Sequence, residues 1–180
     1  MNAVPASPTD IVISIDDAAW CRHVPAIRDH VRKAAITALA TVDAPASRSV
    51  EVSVMLTDDA ALRRLNKTYR QIDKATNVLS FPAGDTGPAG ASALPSDLPC
   101  LLGDVVLAVE TVAAEAARDG KKFADHTAHL IVHGILHLLG YDHEGDDEAA
   151  LMERLEVRIL SRLGVADPYG CRPGETCEGQ

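Results

Sequence analysis

Leu130-Ile-Val-His-Gly-Ile-Leu-His-Leu-Leu-Gly-Tyr-Asp-His143 decides the reading of this chain. His133 and His137 are four residues apart, so on a helix they project from one face about one turn apart. The run of apolar residues around them predicts a long, buried helix over 122–139. Gly140 can adopt the left-handed conformation that ends a helix. A reversal there, through Tyr141 and Asp142, brings His143 back toward the same point. Three neutral imidazoles with a fourth position left over are the layout of a catalytic zinc site rather than a structural one. With seven histidines in 180 residues, a chance His-x3-His-x5-His is expected roughly 0.01 times. The expected cofactor is therefore one Zn2+ held by His133, His137 and His143, although three imidazoles also suit other divalent transition metals. His126 and His129 share that face further toward the N-terminus. They are expected to support the ligands or face a substrate, and His129 is counted with the substrate-binding residues.

Aligned with the zinc-protease pattern His-Glu-x-x-His-x-x-Gly-x-x-His, every ligand and the glycine match. The glutamate does not, because its position holds Gly134. In a protease that glutamate is the general base, and glycine cannot move a proton. The metal cradle is present without the peptidase's base.

Outward from this helix, Ile11–Ile15 is β-branched and reads as a strand. Asp16 or Asp17 caps a helix over 20–40, and 42–47 is a Pro-containing turn. Val50–Leu56 alternates as a half-buried strand. Thr57 or Asp58 caps a helix with Leu62, Leu65 and Tyr69 as its stripe. A short strand over 77–81 stops at Pro82, and 83–99 is a loop rich in Gly, Pro, Ala and Ser. A strand over 101–109 is interrupted at Gly103-Asp104, and a short helix over 110–118 has Gly120 past its end. A last helix, capped by Asp146 or Asp147, presents Leu151, Leu155, Ile159 and Leu163 on one face. Strands come first and helices last, so the expected class is α+β: a small mixed β-sheet packed with helices, one of them a zincin-like metal-binding helix. Residues 10–165 form the single catalytic domain, between a flexible N-terminus (1–9) and a flexible C-terminal tail (166–180).

Composition narrows the function. Hydrophobic residues are 47% and charged residues 24%, which is ordinary for a globular chain. No apolar run is long enough to span a membrane, and Met1–Thr9 lacks the basic and apolar segments of a secretory signal. Aromatics are only 3%, which argues against recognition by rows of stacked rings. None of the four cysteines forms a Cys-x-x-Cys pair, so a reducing, cytoplasmic setting is expected. Cys171 and Cys177 lie in the Gly/Pro-rich tail with no role assigned. The net charge of −9 is unevenly spread. Residues 1–82 hold ten Lys/Arg against nine Asp/Glu, and residues 83–180 hold seven against seventeen. Arg63, Arg64, Lys67, Arg70 and Lys74 have only Asp73 as a nearby acid. They form either a solvated helix face or a phosphate-contacting patch on an acidic protein.

Three segments together resemble the bacterial YbeY family of metal-dependent ribosomal RNA maturation endoribonucleases. They are His133-Gly-x-Leu-His-Leu-x-Gly-Tyr-Asp-His143, Leu65-Asn66-x-x-Tyr69-Arg70 through Asp73 and Thr76–Pro82, and Leu102-Gly103-Asp104-Val105. They span about 65–143 in the family's order. The resemblance implies a zinc-dependent, single-strand-acting endoribonuclease for 16S rRNA 3′-end maturation and ribosome quality control. It implies His133, His137 and His143 as ligands, and Arg70 as the functional arginine across the cleft from the metal. Arg63, Arg64, Lys67 and Lys74 would then be substrate-binding. The implied partners are single-stranded ribosomal RNA, the small ribosomal subunit and its proteins, and an assembly GTPase, with no membrane. Two alternatives stand beside this reading: a non-catalytic zinc-containing assembly factor, and a zinc hydrolase or protease.

Overall fold

The structure is a computed structural model that describes residues 9–42, 49–84, 99–142 and 145–170. The expected 42–47 turn and 83–99 loop lie largely outside these residues, and His143, Cys171 and Cys177 lie wholly outside them. The elements in chain order are β1 (Thr9–Ile15), α1 (Ala19–His23), α2 (Ile27–Thr41), β2 (Val50–Thr57), α3 (Asp59–Arg70), β3 (Val78–Pro82), β4 (Cys100–Ala108), α4 (Val109–Arg118), α5 (Phe123–Leu138) and α6 (Asp146–Leu163).

The strands form one four-stranded sheet in the order β1-β2-β4-β3. β1 and β4 run parallel to β2, and β3 runs antiparallel to β4. The sheet is mixed and the class is α+β, as expected. Alternation sorts its side chains. Ile11, Val50, Val52, Val54, Leu56, Val105 and Leu107 face the main core with α2 and α5. Leu79, Val106 and Ala108 face the other side, where Leu62 of α3 covers them. α5 is buried nearly all round, with α2, α4 and α6 beside it and β3 and β4 against it. A helix apolar on every face belongs in a core, so its histidines can open to solvent only where the neighbouring elements leave a gap.

Several local readings need correction. The single helix expected over 20–40 is two, because Pro25 lacks the N–H a helix interior requires and disfavours helical backbone at Val24. Val24 is extended, with φ −137° and ψ 100°. Pro82 does not stop β3 but belongs to it, which an edge strand tolerates because one side of its backbone has no ladder partner. β4 is continuous rather than interrupted. Its register against β2 passes from Glu51↔Leu101 to Val52↔Gly103, so Leu102 is an extra, bulged residue. Gly103 takes φ +126°, and a Cβ there would lie 2.1 Å from the Phe81 carbonyl oxygen. On α6 the N-cap is Gly145 rather than an aspartate. Its stripe is broader than expected: Leu155, Ile159 and Leu163 pack on the core as read, but Leu151 is 43% exposed, and Met152, Glu156 and Leu160 also face inward.

Other signals act as read. Asp58 caps α3, its Oδ1 accepting from the Ala61 N–H at 2.7 Å. The N-termini of α3 and α4 cap each other. Asp59 Oδ1 accepts from the Thr111 N–H and hydroxyl, and Glu110 Oε2 accepts from the Asp59 N–H. Past α5, Gly140 has φ +85° and the Tyr141 N–H reaches back to the Leu136 carbonyl at 3.0 Å. That six-to-one bond is the helix-ending turn that the glycine predicts.

Candidate active site

His133 and His137 come together as their spacing requires. Their Nε2 atoms are 3.1 Å apart and their rings are nearly perpendicular. Two nitrogens bound tetrahedrally at zinc's ordinary ~2.0–2.1 Å would be about 3.3 Å apart, so the pair fits a shared cation. Among the described residues no three His, Cys, Asp or Glu side chains converge on one point, and His143 is not among them.

The two imidazoles open into a cleft of about 540 Å³. Its walls include Arg70, Asn77, Ser80, Tyr141 and Asp142. Arg70 is the last residue of α3, and the chain leaves it through Gln71 in the left-handed conformation. Asn66, buried on the same helix, holds the turn that follows by donating from Nδ2 to the Lys74 carbonyl at 2.8 Å. Asn77 donates to Glu115 at 2.9 Å, and Glu115 in turn accepts from His126 Nε2 at 2.9 Å. The cleft wall is thereby tied to α4 and α5. Burial pushes the His126 imidazole below its ordinary pKa, against the pull of Glu115.

The other cations expected to bind substrate do not join Arg70 in this cleft. Arg63 and Lys67 both pair with Asp73, at 2.6 and 2.9 Å, on the exposed surface. Their hydrogen bonds hold Asp73 down at about 2. Arg64 lies in a separate groove with Asp16, Asp58 and Tyr69. Lys74 lines another groove with Arg63 and Asp73. α3 and the turn after it send these cations to different sides, and of them only Arg70 lines the cleft with the histidines.

Gly134 explains itself through packing. A Cβ at that position would lie 2.6 Å from Val105 Cγ1 and 3.1 Å from Ser80 Oγ. The face that carries the glutamate in a zinc protease is here pressed against β3 and β4. Ser80 Oγ also donates to the Gly134 carbonyl at 3.2 Å, so this contact fixes α5, and with it both histidines, against the strand that lines the cleft.

Behind the histidines lies a residue that the sequence reading passes over. Glu156 of α6 is fully buried. Its Oε1 accepts from His133 Nδ1 at 2.7 Å, and its Oε2 accepts from His129 Nε2 at 2.9 Å and from the Tyr169 hydroxyl. Burial works to raise its pKa, but these hydrogen bonds outweigh it and hold the carboxyl at about 2. His129 thus faces Glu156 and a second cavity near the start of α5, not the Arg70 cleft. The signal was a carboxylate on an apolar stripe, four residues after Met152 and four before Leu160. Such a position is disfavoured unless the carboxylate finds buried partners.

Known proteins give the chain its family. A family model described as endoribonuclease YbeY matches residues 14–164. The chain belongs to the YbeY endoribonuclease family. It is 48% identical over 173 residues to the endoribonuclease YbeY of a Bradyrhizobium species, covering 96% of this chain and 98% of that one. It is 48% identical over 161 residues to that of Paramagnetospirillum magneticum, covering 89% and 96%. The solution structure of TM1509 from Thermotoga maritima superposes with a TM-score of 0.51 at 19% identity, covering 93% of this chain and 99% of that one. At that identity the likeness speaks for the fold alone. Within this YbeY family chain, the three sequence segments that carry the resemblance supply the walls of one cleft or the packing behind it.

Proposed function

We propose that this YbeY family member is a zinc-dependent endoribonuclease that cleaves single-stranded RNA in maturing the 3′ end of 16S rRNA and in ribosome quality control. It would work in the cytoplasm on the small ribosomal subunit, alongside that subunit's proteins and an assembly GTPase. What supports the reading is one observation: Arg70 and the His133–His137 pair line the same cleft.

His133, His137 and His143 would hold the ion, and their neutral nitrogens suit zinc. When bound, zinc supplies Lewis acidity toward a phosphoryl oxygen. The chain's own residues do the rest. The Arg70 guanidinium offers planar donors matched to a phosphate. It orients the scissile phosphodiester and stabilises the charge that grows on it. Asn77 and Ser80 contribute polar groups to the wall. Asp142 is the one carboxylate among the described lining residues, and it is the candidate to take a proton from the water that attacks phosphorus as the P–O bond to the leaving ribose oxygen breaks.

The test incubates purified protein with single-stranded RNA and with casein, each with and without a chelator. Arg70→Ala and Lys67→Ala are purified in parallel. RNA should be cut, casein should not, and the chelator should abolish cutting. Arg70→Ala should lower single-turnover cleavage by roughly 10²-fold or more while binding changes far less, and Lys67→Ala should only weaken binding. Cleavage at the wild-type rate by Arg70→Ala would reduce Arg70 to a surface charge. Robust cutting of casein would favour a protease instead.

A further inference from the structure

We infer that Glu156 is a positioning residue for the metal site: it fixes which nitrogen of His133 carries the proton, and Tyr169 and His129 hold it in place to do so. The inference rests on the proposed metal reading and deepens it.

The argument begins from cost. A carboxylate with no solvent exposure is strongly disfavoured unless its oxygens are satisfied. Both oxygens of Glu156 are satisfied, and by side chains from two further parts of the chain: α5 and the segment after α6. An ionised carboxylate only accepts hydrogen bonds. The ring nitrogens that face it must therefore be the protonated ones, Nδ1 of His133 and Nε2 of His129.

For His133 this has a chemical consequence. A neutral imidazole has one protonated nitrogen and one lone pair. With the proton fixed on Nδ1, the lone pair is fixed on Nε2, the atom 3.1 Å from Nε2 of His137. A metal-ligating histidine needs that arrangement, and a carboxylate on its far nitrogen also raises its basicity as a ligand. For His129 the same logic gives a supporting role. Its Nε2 proton is spent on Glu156, and its Nδ1 is buried without a hydrogen-bond partner among the described residues. Tyr169 completes the set. Gly164, with φ +76°, reverses the chain after α6, and the Asp167 carboxylate accepts from the Tyr169 N–H at 2.8 Å. That turn brings the Tyr169 hydroxyl to Glu156, with its ring edge-on to His129.

A tie that merely joined α6 to α5 would leave the His133 tautomer without consequence, so the test reads tautomer and metal affinity. Long-range 15N–1H correlation spectra of the metal-free wild type should show His133 protonated at Nδ1. Glu156→Gln keeps the size but offers a single acceptor oxygen and places N–H donors toward other donors. His133 should then become a tautomer mixture, and Zn2+ affinity, measured by competition with a chromophoric chelator, should fall about 10–100-fold. Tyr169→Phe removes only a hydroxyl and should cause a smaller loss in the same direction. If Glu156→Gln does not fold, the wild-type spectrum and Tyr169→Phe still decide. A His133 protonated at Nε2 in metal-free wild type overturns the inference, as does wild-type Zn2+ affinity in Tyr169→Phe. His137→Ala separates the two readings. If wild type takes up no Zn2+, or His137→Ala retains it fully, the metal reading fails and this inference with it. If only His137→Ala loses Zn2+ while Glu156→Gln binds as tightly as wild type, the metal reading stands and Glu156 is a helix tie.

Discussion

Gly134→Ala is the substitution whose outcome is most tightly set by the packing of α5. Helix propensity alone favours it, since alanine is about 1 kcal/mol better than glycine in a helix interior. The added methyl carbon, however, would lie 2.6 Å from Val105 Cγ1, where ordinary contact begins at 3.4 Å. The shortfall is 0.8 Å, and turning Val105 about χ1 gives little relief because its Cγ2 is only 3.2 Å away and Ser80 Oγ only 3.1 Å. Val105 is fully buried on a central strand, so neither side can withdraw into solvent. Overpacking of this kind costs about 1–3 kcal/mol. An overlap of 0.8 Å between groups that cannot withdraw belongs in the upper part of that range, about 2–3 kcal/mol, so against the propensity gain of about 1 kcal/mol the net is a destabilisation of about 1–2 kcal/mol. At about 2–4 °C per kcal/mol for a chain of this size, Tm should fall by roughly 2–8 °C. The assay is urea unfolding of metal-free protein beside a thermal scan, with RNA cleavage measured on the same preparations. Cleavage should fall by more than the folded fraction does, because the displaced turn carries His133. A variant as stable as wild type, or more so, would refute the claim that the closeness of α5 to β4 dictates the glycine. Gly134→Glu should be far worse: it adds a carboxylate where not even a methyl fits, and no protease activity should emerge.

Three further outcomes follow from the geometry. Gly103→Ala should destabilise by at least about 2 kcal/mol, from positive-φ strain plus the clash with the Phe81 carbonyl, and hydrogen exchange should show β3 losing protection first. Asp73→Asn should strengthen RNA binding rather than weaken it, because it frees Arg63 and Lys67 from their exposed pairs. The salt dependence should steepen by about 0.7 in slope per new single-strand contact, and a fall in affinity would count against any RNA role for these cations. His126 has a folded pKa below its unfolded value of about 6.5, so the unfolded chain binds more protons below that pH and stability should drop on acidification. Unfolding of metal-free protein at pH 8 and pH 5.5 should show a smaller pH difference for His126→Gln than for wild type.

The sequence was most legible where one local rule decides. The His133–His137 spacing, the turn at Gly140, the Asp58 cap and the alternation in β2 each follow from a short stretch of chain. It was least legible where distant residues decide. The extra residue at Leu102 is set by the register against β2, and the need for glycine at 103 by the Phe81 carbonyl on β3; neither partner is near in sequence. The leucine spacing on α6 finds Ile159 but misses Met152, Leu160 and the inward-facing Glu156. Its three donors lie 27 and 23 residues before it and 13 after it. The basic segment is dispersed because Arg64 lies about 100° round α3 from Arg63, Arg63 and Lys67 are drawn to Asp73, and Lys74 falls beyond the helix end.

The reciprocal caps between α3 and α4 bear on the cleft from its far end. α3 has 12 residues and is therefore about 18 Å long, pinned at Asp59 and carrying Arg70 at its tip. It behaves as a lever with its fulcrum at the caps. A tilt of about 5° at Asp59 would sweep the Arg70 end through roughly 1.5 Å, a misplacement on the scale that costs about 10²-fold in rate. In the proposed mechanism Asp59, Glu110 and Thr111 would thus be part of the aim of Arg70 without lining its cleft, with helix-cap chemistry about 18 Å away setting the alignment of the arginine with the paired imidazoles.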